Sequence, residues 1–300
     1  MYRPLLHQLL TLLRLTRVWN LLILVLAQYA AVIFLVEPGE ILPVHFGFVD
    51  VMLERGTWTD PALFVLAAST CLIAAAGYVI NDYFDVKIDL INKPARVVVG
   101  KEMTRRKAIL LHVIFSSAGV FTGLLISWKV AVVNLLSAGL LWWYSANLKR
   151  GMFFGNLAIA VLTAAALLVL YIPFPQSGPA ILLYAGFAFG MTLVREAVKD
   201  MEDVRGDQAY GCSTMPIRMG IPFTKIYSLT LILMLMATGF AVHVWLMPLP
   251  VYYFLALILL PLGLFSFRLL RADTVREFHQ LSQWVKYILV LGIFSMALLP

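Results

Sequence analysis

Charge is scarce in this sequence. Only 13% of its 300 residues are Asp, Glu, Lys or Arg, while 62% are hydrophobic, and a water-soluble chain would carry roughly 25% charged residues to cover its surface. That deficit excludes a soluble globular domain and requires much of the surface to meet lipid. Cysteine is almost absent. Cys71 lies in an apolar run and Cys212 in a polar stretch, so a disulfide framework is excluded and both read as packing residues. The five histidines, His7, His45, His112, His243 and His279, nowhere take metal-ligand spacing, which argues against a zinc site. The first 17 residues do not have the form of a cleavable signal, because the apolar run after them is span-length and many more such runs follow.

Long hydrophobic runs are abundant. A bilayer core about 30 Å thick takes about 20 residues of helix, and backbone facing lipid must satisfy its own hydrogen bonds. Nine runs qualify, at 18–36, 61–80, 108–126, 130–147, 153–172, 179–195, 225–247, 250–268 and 284–299, with a tight turn at Ser127, Trp128 and Lys129 between the third and fourth. The expectation is an all-α polytopic membrane protein of about nine transmembrane helices around a central cavity, forming a single domain over 1–300. If the N-terminus is cytoplasmic, every one of the 23 Lys and Arg residues except Arg55 and Lys129 falls on the cytoplasmic side, as the positive-inside rule requires. That placement also accounts for the basic pI of about 9.4, so no nucleic-acid partner is expected. The expected location is the cell (inner) membrane, with the N-terminus and the motif loops in the cytoplasm.

Acidic side chains at the ends of apolar helices have no such topological explanation. After the second run come Asn81, Asp82, Asp85 and Asp89, and after the sixth come Lys199, Asp200, Asp203 and Asp207. Both segments read D-x-x-D-x-x-x-D, with Asp82, Asp85 and Asp89 each 118 residues before Asp200, Asp203 and Asp207. The echo continues where Pro94, Arg96 and Gly100 resemble Pro216, Arg218 and Gly220. This is an internal repeat, so the chain reads as two pseudo-repeated halves, with motif loops at 81–107 and 195–225. On a helix, i, i+3 and i+7 share a face, so each triplet is a stripe of three carboxylates. Such stripes need cations. Hard oxygen donors of this kind suit Mg²⁺, which keeps several waters and binds together with substrate phosphates. Lys93, Arg96, Lys149, Lys199 and Arg205 could stabilise a diphosphate and its departure.

Asn81-Asp82 followed by Asp85 and Asp89 after a second span, with a second acidic motif after a sixth, resembles the UbiA superfamily of intramembrane prenyltransferases. The resemblance covers nearly the whole chain. It includes Arg17 and Asn20 entering the first span, Asn92-Lys93-Pro94-Ala95-Arg96, and Tyr144 through Arg150 leading to Gly155-Asn156. It implies Mg²⁺-dependent ionisation of an isoprenyl diphosphate donor and capture of the allylic cation by a lipophilic acceptor within the membrane lipid. Asp82, Asp85, Asp203 and Asp207 would hold Mg²⁺ and serve catalysis, with Asp89 and Asp200 completing the metal shells. Arg96, Lys149 and Lys199 would contact phosphate, Asn20 and Asn81 would line the pocket, and Tyr144 is the aromatic residue whose position the family supports. Arg195 through Asp207 and Ser213-Thr214-Met215-Pro216-Ile217 are most similar to the branch that makes digeranylgeranylglyceryl phosphate by alkylating a glycerol phosphate hydroxyl. After Arg96 the chain reads Val97-Val98-Val99, where many members carry a proline-containing run, so this loop should have its own shape.

A carbocation needs an apolar, water-poor cavity with aromatic faces, and Tyr78, Tyr83, Phe84, Trp142, Trp143 and Tyr144 are candidates. The residues leave four functions open. They are transfer to a geranylgeranylglycerol phosphate-like hydroxyl, prenylation of an aromatic quinone precursor, cyclisation without an acceptor, and carriage of a phosphorylated lipid or isoprenoid without chemistry. No general base for the hydroxyl reaction is assignable. The connection from Glu37 to Asp60 is expected to be a lid or interfacial element. Phe278, Leu281 and Trp284 suggest a short interfacial helix between Arg268 and Lys286.

Overall fold

A computed structural model describes residues 2–36, 41–46, 49–54, 57–245 and 255–298. Among the described residues the regular elements are helices and one antiparallel hairpin, β1 (Ile41–Phe46) and β2 (Val49–Glu54), in which Ile41 pairs with Glu54 and Phe46 with Val49. The helices are α1 (Tyr2–Leu15), α2 (Val18–Leu35), α3 (Pro61–Asn92), α4 (Arg105–Leu124), α5 (Trp128–Ala146), α6 (Phe154–Leu168), α7 (Ala180–Ala209), α8 (Met215–Met219), α9 (Ile221–Trp245), α10 (Leu260–Arg271) and α11 (Val275–Ser295). Among the described residues, seven helical segments are long and apolar enough to cross a membrane. They answer to seven of the nine expected spans. Of the remaining two, 130–147 coincides with α5 and 250–268 overlaps the helical residues 255–271, its residues 250–254 lying outside the described ones, and neither is among the seven.

Two helices outrun the bilayer. At 1.5 Å per residue, α3 (32 residues) and α7 (30 residues) extend about 48 and about 45 Å, well past an apolar core of about 30 Å. Their backbone hydrogen bonds continue after the apolar sequence stops at residues 80 and 195. The C-terminal turns therefore stand beyond the hydrophobic stretch, and they carry both aspartate triplets.

The chain divides into two compact units. The first comprises Met1–Lys87, Ala95–Ser145 and Ala166–Leu182. Here Leu15, Val79, Val98, Val99 and Ala108 form a buried cluster with Tyr83, Val86, Met103, Leu111 and Phe115 packed against it. This explains the departure after Arg96, because Val97, Val98 and Val99 are buried and anchor the loop through apolar packing. Gly100 follows at φ 89, in the left-handed region that a side chain resists. Helices α4 and α5 are joined by a turn in which Ser127 Oγ accepts from Val130 N at 3.3 Å, and Asn134 donates across the pair to Gly119 O at 2.9 Å.

The second unit comprises Ile88–Pro94, Ala146–Ala165 and Leu183–Pro300. Its core is built from Met191, Val194, Val198 and Met201 of α7, Ile232 of α9, Leu262, Phe265 and Leu269 of α10, and Phe278, Leu281, Val285 and Ile288 of α11. The short interfacial helix expected at Phe278 and Leu281 is instead the start of α11. Thr274 and Glu277 form a reciprocal capping box that begins the helix at Val275, and the Phe278 and Leu281 side chains are buried in the core.

Candidate functional site

In the first unit the last turns of α3 carry Asn81, Asp82 and Asp85. Arg17 Nη2 donates to Asp82 Oδ1 at 2.8 Å, with the two side chains 38% and 15% exposed. Arg17 lies between α1 and α2 at φ 51 and ψ 54, a left-handed conformation that costs a non-glycine residue on the order of 1 kcal/mol. This backbone turn separates the two helices, and the guanidinium also lies 4.9 Å from the centroid of the Tyr78 ring. Asn81 Nδ2 donates to Asp85 Oδ2 at 2.8 Å, one helical turn away. Thus Asp82 is matched by a cation and Asp85 by a neutral amide.

Tyr83, Phe84, Trp142 and His112 follow one another edge to face or tilted, at centroid separations of 5.2, 5.8 and 5.2 Å. Arg105 lies 4.4 Å over Tyr83. The structure thereby joins three of the six aromatic candidates. Trp143 is exposed, while Asn20 and Tyr144 are half-buried and Arg96 ends an exposed one-turn helix, Pro94–Arg96. The loop that follows is tied to α1, since Thr11 Oγ1 and Arg14 Nη2 both donate to Glu102 Oε2 at 2.7 Å. The Thr11 hydroxyl foremost, with Arg14 and His7 together, holds the Glu102 carboxyl below its ordinary value against the opposing effect of burial.

In the second unit Asp203 is the centre. Lys93 Nζ donates to Asp203 Oδ2 at 2.8 Å and lies 3.2 Å from Glu202 Oε1. Glu202 is 5% exposed and also receives His279 Nδ1 at 2.9 Å. Burial draws the Lys93 ammonium down, but Asp203 and Glu202 outweigh it and hold it above the ordinary lysine value. Asn92, just before Lys93, donates from Nδ2 to Asp203 O at 3.0 Å and accepts at Oδ1 from Gly206 N at 2.8 Å. One turn upstream, Asn156 Nδ2 donates to Asp200 Oδ2 at 2.8 Å. Lys199 reaches Glu196 Oε2 at 2.8 Å, and Arg195 reaches Glu196 Oε1 at 2.7 Å. Asp89 and Asp207 are half-buried on the last turns of α3 and α7, Lys149 is half-buried in the turn Leu148–Arg150, and Arg205 is exposed.

Several of these partners were not among the expected site residues, namely Asn92, Asn156, Glu196, Glu202 and His279. Asn92 and Asn156 stand within the motif stretches and could have been found by asking which neutral amides accompany the acids. Nothing local links His279 to Glu202, 77 positions earlier.

Among the described residues no three carboxylate, histidine or cysteine groups form a ready-made metal cage. Magnesium does not need one, because it commonly takes one or two carboxylates and completes its shell with water and phosphate oxygens. Asp203 fits that pattern. Its Oδ1 is buried and has no hydrogen-bond partner among the described residues, and a buried, unpaired carboxylate oxygen is costly unless something later ligates it.

Membrane-spanning helices whose two longest members carry carboxylate clusters on their protruding ends define an integral membrane protein that handles a charged group at the edge of an apolar interior. The model of the UbiA prenyltransferase family matches residues 41–297. Digeranylgeranylglyceryl phosphate synthase of Sulfurisphaera tokodaii is 30% identical over 232 residues, covering 76% of this chain and 83% of that protein. Two solved structures share the fold. One, from a study of digeranylgeranylglyceryl phosphate synthase in membranes, has a TM-score of 0.69 at 22% identity and covers 96% of this chain and 98% of the other. The second, a UbiA homologue from Archaeoglobus fulgidus bound to GPP and Mg²⁺, has a TM-score of 0.65 at 16% identity, with coverage of 96% and 99%. The chain belongs to the UbiA prenyltransferase family.

Proposed function

We propose that the protein transfers a prenyl group from an isoprenyl diphosphate to the hydroxyl of a geranylgeranylglycerol phosphate-like lipid. The observation that carries the reading is Asp203, a carboxylate at the end of a membrane helix with one oxygen on Lys93 and the other buried without a donor among the described residues. Family membership and relatives named as digeranylgeranylglyceryl phosphate synthases support the same class of reaction.

In this reading the 300 residues act as one transferase domain, in the cell (inner) membrane with the N-terminus and both motifs cytoplasmic. Asp82, Asp85, Asp203 and Asp207 would hold Mg²⁺, with Asp89 and Asp200 in support. Bound Mg²⁺ would supply the positive charge against which diphosphate leaves. Lys93, Arg96, Lys149, Lys199 and Arg205 add cationic groups for the phosphate oxygens, Lys149 from the turn after α5 and the others from the two motif segments. The allylic C–O bond breaks with its electrons departing on diphosphate. The acceptor oxygen then forms the new C–O bond and loses its proton. The rings of Tyr83, Phe84 and Trp142, with Tyr144, offer faces that can stabilise an allylic cation without trapping it.

The test is a nanodisc assay with radiolabelled geranylgeranyl diphosphate, Mg²⁺, and either geranylgeranylglyceryl phosphate or an aromatic quinone precursor. A labelled glycerol-lipid adduct, lost with EDTA and in Asp82→Ala and Asp203→Ala, is expected. An aromatic adduct would overturn the acceptor, a cyclised hydrocarbon would remove the acceptor altogether, and recovery of intact diphosphate under every donor and acceptor would overturn prenyl transfer in favour of a carrier.

A further inference from the structure

Asn92 and Lys93 are consecutive residues at the end of α3, and both reach Asp203 in different ways. Lys93 holds the side chain through Oδ2 at 2.8 Å, whereas Asn92 holds the backbone, donating to Asp203 O at 3.0 Å and accepting from Gly206 N at 2.8 Å. A primary amide that accepts at one end and donates at the other braces the helical turn it spans, here the turn separating Asp203 from Asp207. Residue 206 is a buried glycine for a steric reason. A Cβ there would stand 2.6 Å from both Asn92 Cγ and Oδ1, and closer still to Nδ2, inside the distance that real Cβ atoms keep. The amide occupies the space that any side chain at 206 would fill.

We propose that Asn92 is a positioning residue that fixes the spacing of Asp203 and Asp207 for a divalent cation, and that Gly206 exists to admit it. The inference rests on the reading of those aspartates as metal ligands. The two neighbours act in opposite directions. Lys93 competes with an arriving cation, because it occupies the same carboxylate. Asn92 does not compete, since its bonds are to main-chain atoms and persist when the carboxylate turns toward a metal. A brace lowers the cost of ordering the ligands at the moment of binding.

The experiment measures Mn²⁺ binding by loss of the free-ion electron paramagnetic resonance signal. It uses full-length protein in nanodiscs carrying geranylgeranyl S-thiolodiphosphate, a donor analogue whose C–S bond resists ionisation. Asn92→Ala and Gly206→Ala are each expected to weaken Mn²⁺ about tenfold, the size expected from one to two net hydrogen bonds. The double variant should bind no more weakly than either alone, because removing the amide makes room for the methyl. Lys93→Met should shift affinity the other way. Hydrogen exchange should show faster exchange across 203–207 in both alanine variants. Asn92→Asp retains an acceptor for Gly206 but loses the donor to Asp203 O, so it should fall between wild type and Asn92→Ala. It also provides a test if the alanine variant fails to fold. Wild-type Mn²⁺ affinity in Asn92→Asp and Gly206→Ala, with binding lost in Asp203→Ala, would overturn the role of Asn92 alone. Undiminished binding in Asp203→Ala would overturn the metal reading beneath it.

Discussion

Lys93 sits between two carboxylates, and removing each partner should cost differently. At an effective dielectric near 20, charges at the 2.8 Å and 3.2 Å separations to Asp203 and Glu202 attract by roughly 6 and 5 kcal/mol gross. Most of that is cancelled by desolvation, because Lys93, Asp203 and Glu202 are only 20%, 22% and 5% exposed. What survives depends on what the substitution leaves behind. Lys93→Met leaves two adjacent carboxylates with no ammonium, and breaking a buried pair in this way costs about 3–5 kcal/mol. Glu202→Gln leaves the ammonium on Asp203 and keeps an oxygen facing His279, so only a charge-assisted hydrogen bond is weakened, worth about 1.5–3 kcal/mol.

The assay is thermal unfolding in a single detergent, followed by a thiol-reactive dye or intrinsic fluorescence, with Mg²⁺ titrated from zero to saturation of the response. Lys93→Met should melt well below Glu202→Gln, and Mg²⁺ should restore much of the Lys93→Met loss while moving Glu202→Gln little. A divalent cation replaces the missing ammonium at Asp203, and the ammonium is still present in Glu202→Gln. Equal destabilisation of the two variants, or the same Mg²⁺ response in both, would refute the assignment of Lys93 as the counter-charge of Asp203.

Glu102→Gln should lower the melting temperature at pH 7 by loosening α1 from the loop at 97–103. Because Thr11 and Arg14 hold the folded carboxyl below its ordinary value, that stabilisation is present above the unfolded glutamate pKa of about 4.3 and disappears as pH falls through the lower folded value. The wild type and the variant should therefore converge below about pH 4, as a melting series across pH would show. Val98→Ala truncates a side chain 4% exposed and should cost about 1–3 kcal/mol through lost burial and a small cavity, measurable by denaturant titration in detergent. Asn156→Leu removes the donor to Asp200 and leaves a half-buried carboxylate short of a hydrogen bond. Activity should fall several-fold, and Asn156→Asp, which adds a second charge, should fall further; the reverse order in a donor-turnover assay would count against Asn156 as a donor.

Much of this architecture can be read from hydropathy and from the repeat. Apolar runs fixed where helices cross the membrane, because lipid thickness demands about 20 residues wherever a chain passes through. They did not reveal where helices end, since a helix needs only its own backbone bonds and continues into polar sequence. Hence α3 and α7 run to Asn92 and Ala209, beyond the apolar limits at 80 and 195. The hairpin between the first two spans was missed because Pro43 within β1 argues against a strand and the sequence between Glu37 and Asp60 shows no sustained alternation. Both aspartate triplets were visible through their shared spacing, but their partners were not. Arg17 reaches Asp82 across 65 positions and Lys93 reaches Asp203 across 110, separations at which local pattern carries no information. Val97 through Val99 were visible as a departure from the family, and the role of Val98 and Val99 as buried anchors became apparent only in the cluster they form with Leu15 and Ala108.

The two copies of the repeat solve one electrostatic problem in opposite order. Position one is Asp82 in the first copy and Asp200 in the second; position two is Asp85 and Asp203. In the first copy the cation, Arg17, is on position one, and the neutral amide, Asn81, is on position two. In the second copy the amide, Asn156, is on position one, and the cation, Lys93, is on position two. In each copy one carboxylate thus accepts from a fixed cation and the other from a neutral amide. Two unscreened carboxylates one helical turn apart repel, while two fully paired ones would bind a metal weakly. One fixed cation in each copy reduces that repulsion, and in the second copy it does so while Asp203 Oδ1 keeps no hydrogen-bond partner among the described residues. The repeat supplies the spacing, and the partner drawn from the α1–α2 turn, the end of α3 or α6 sets which aspartate in each copy meets the fixed cation and which the amide.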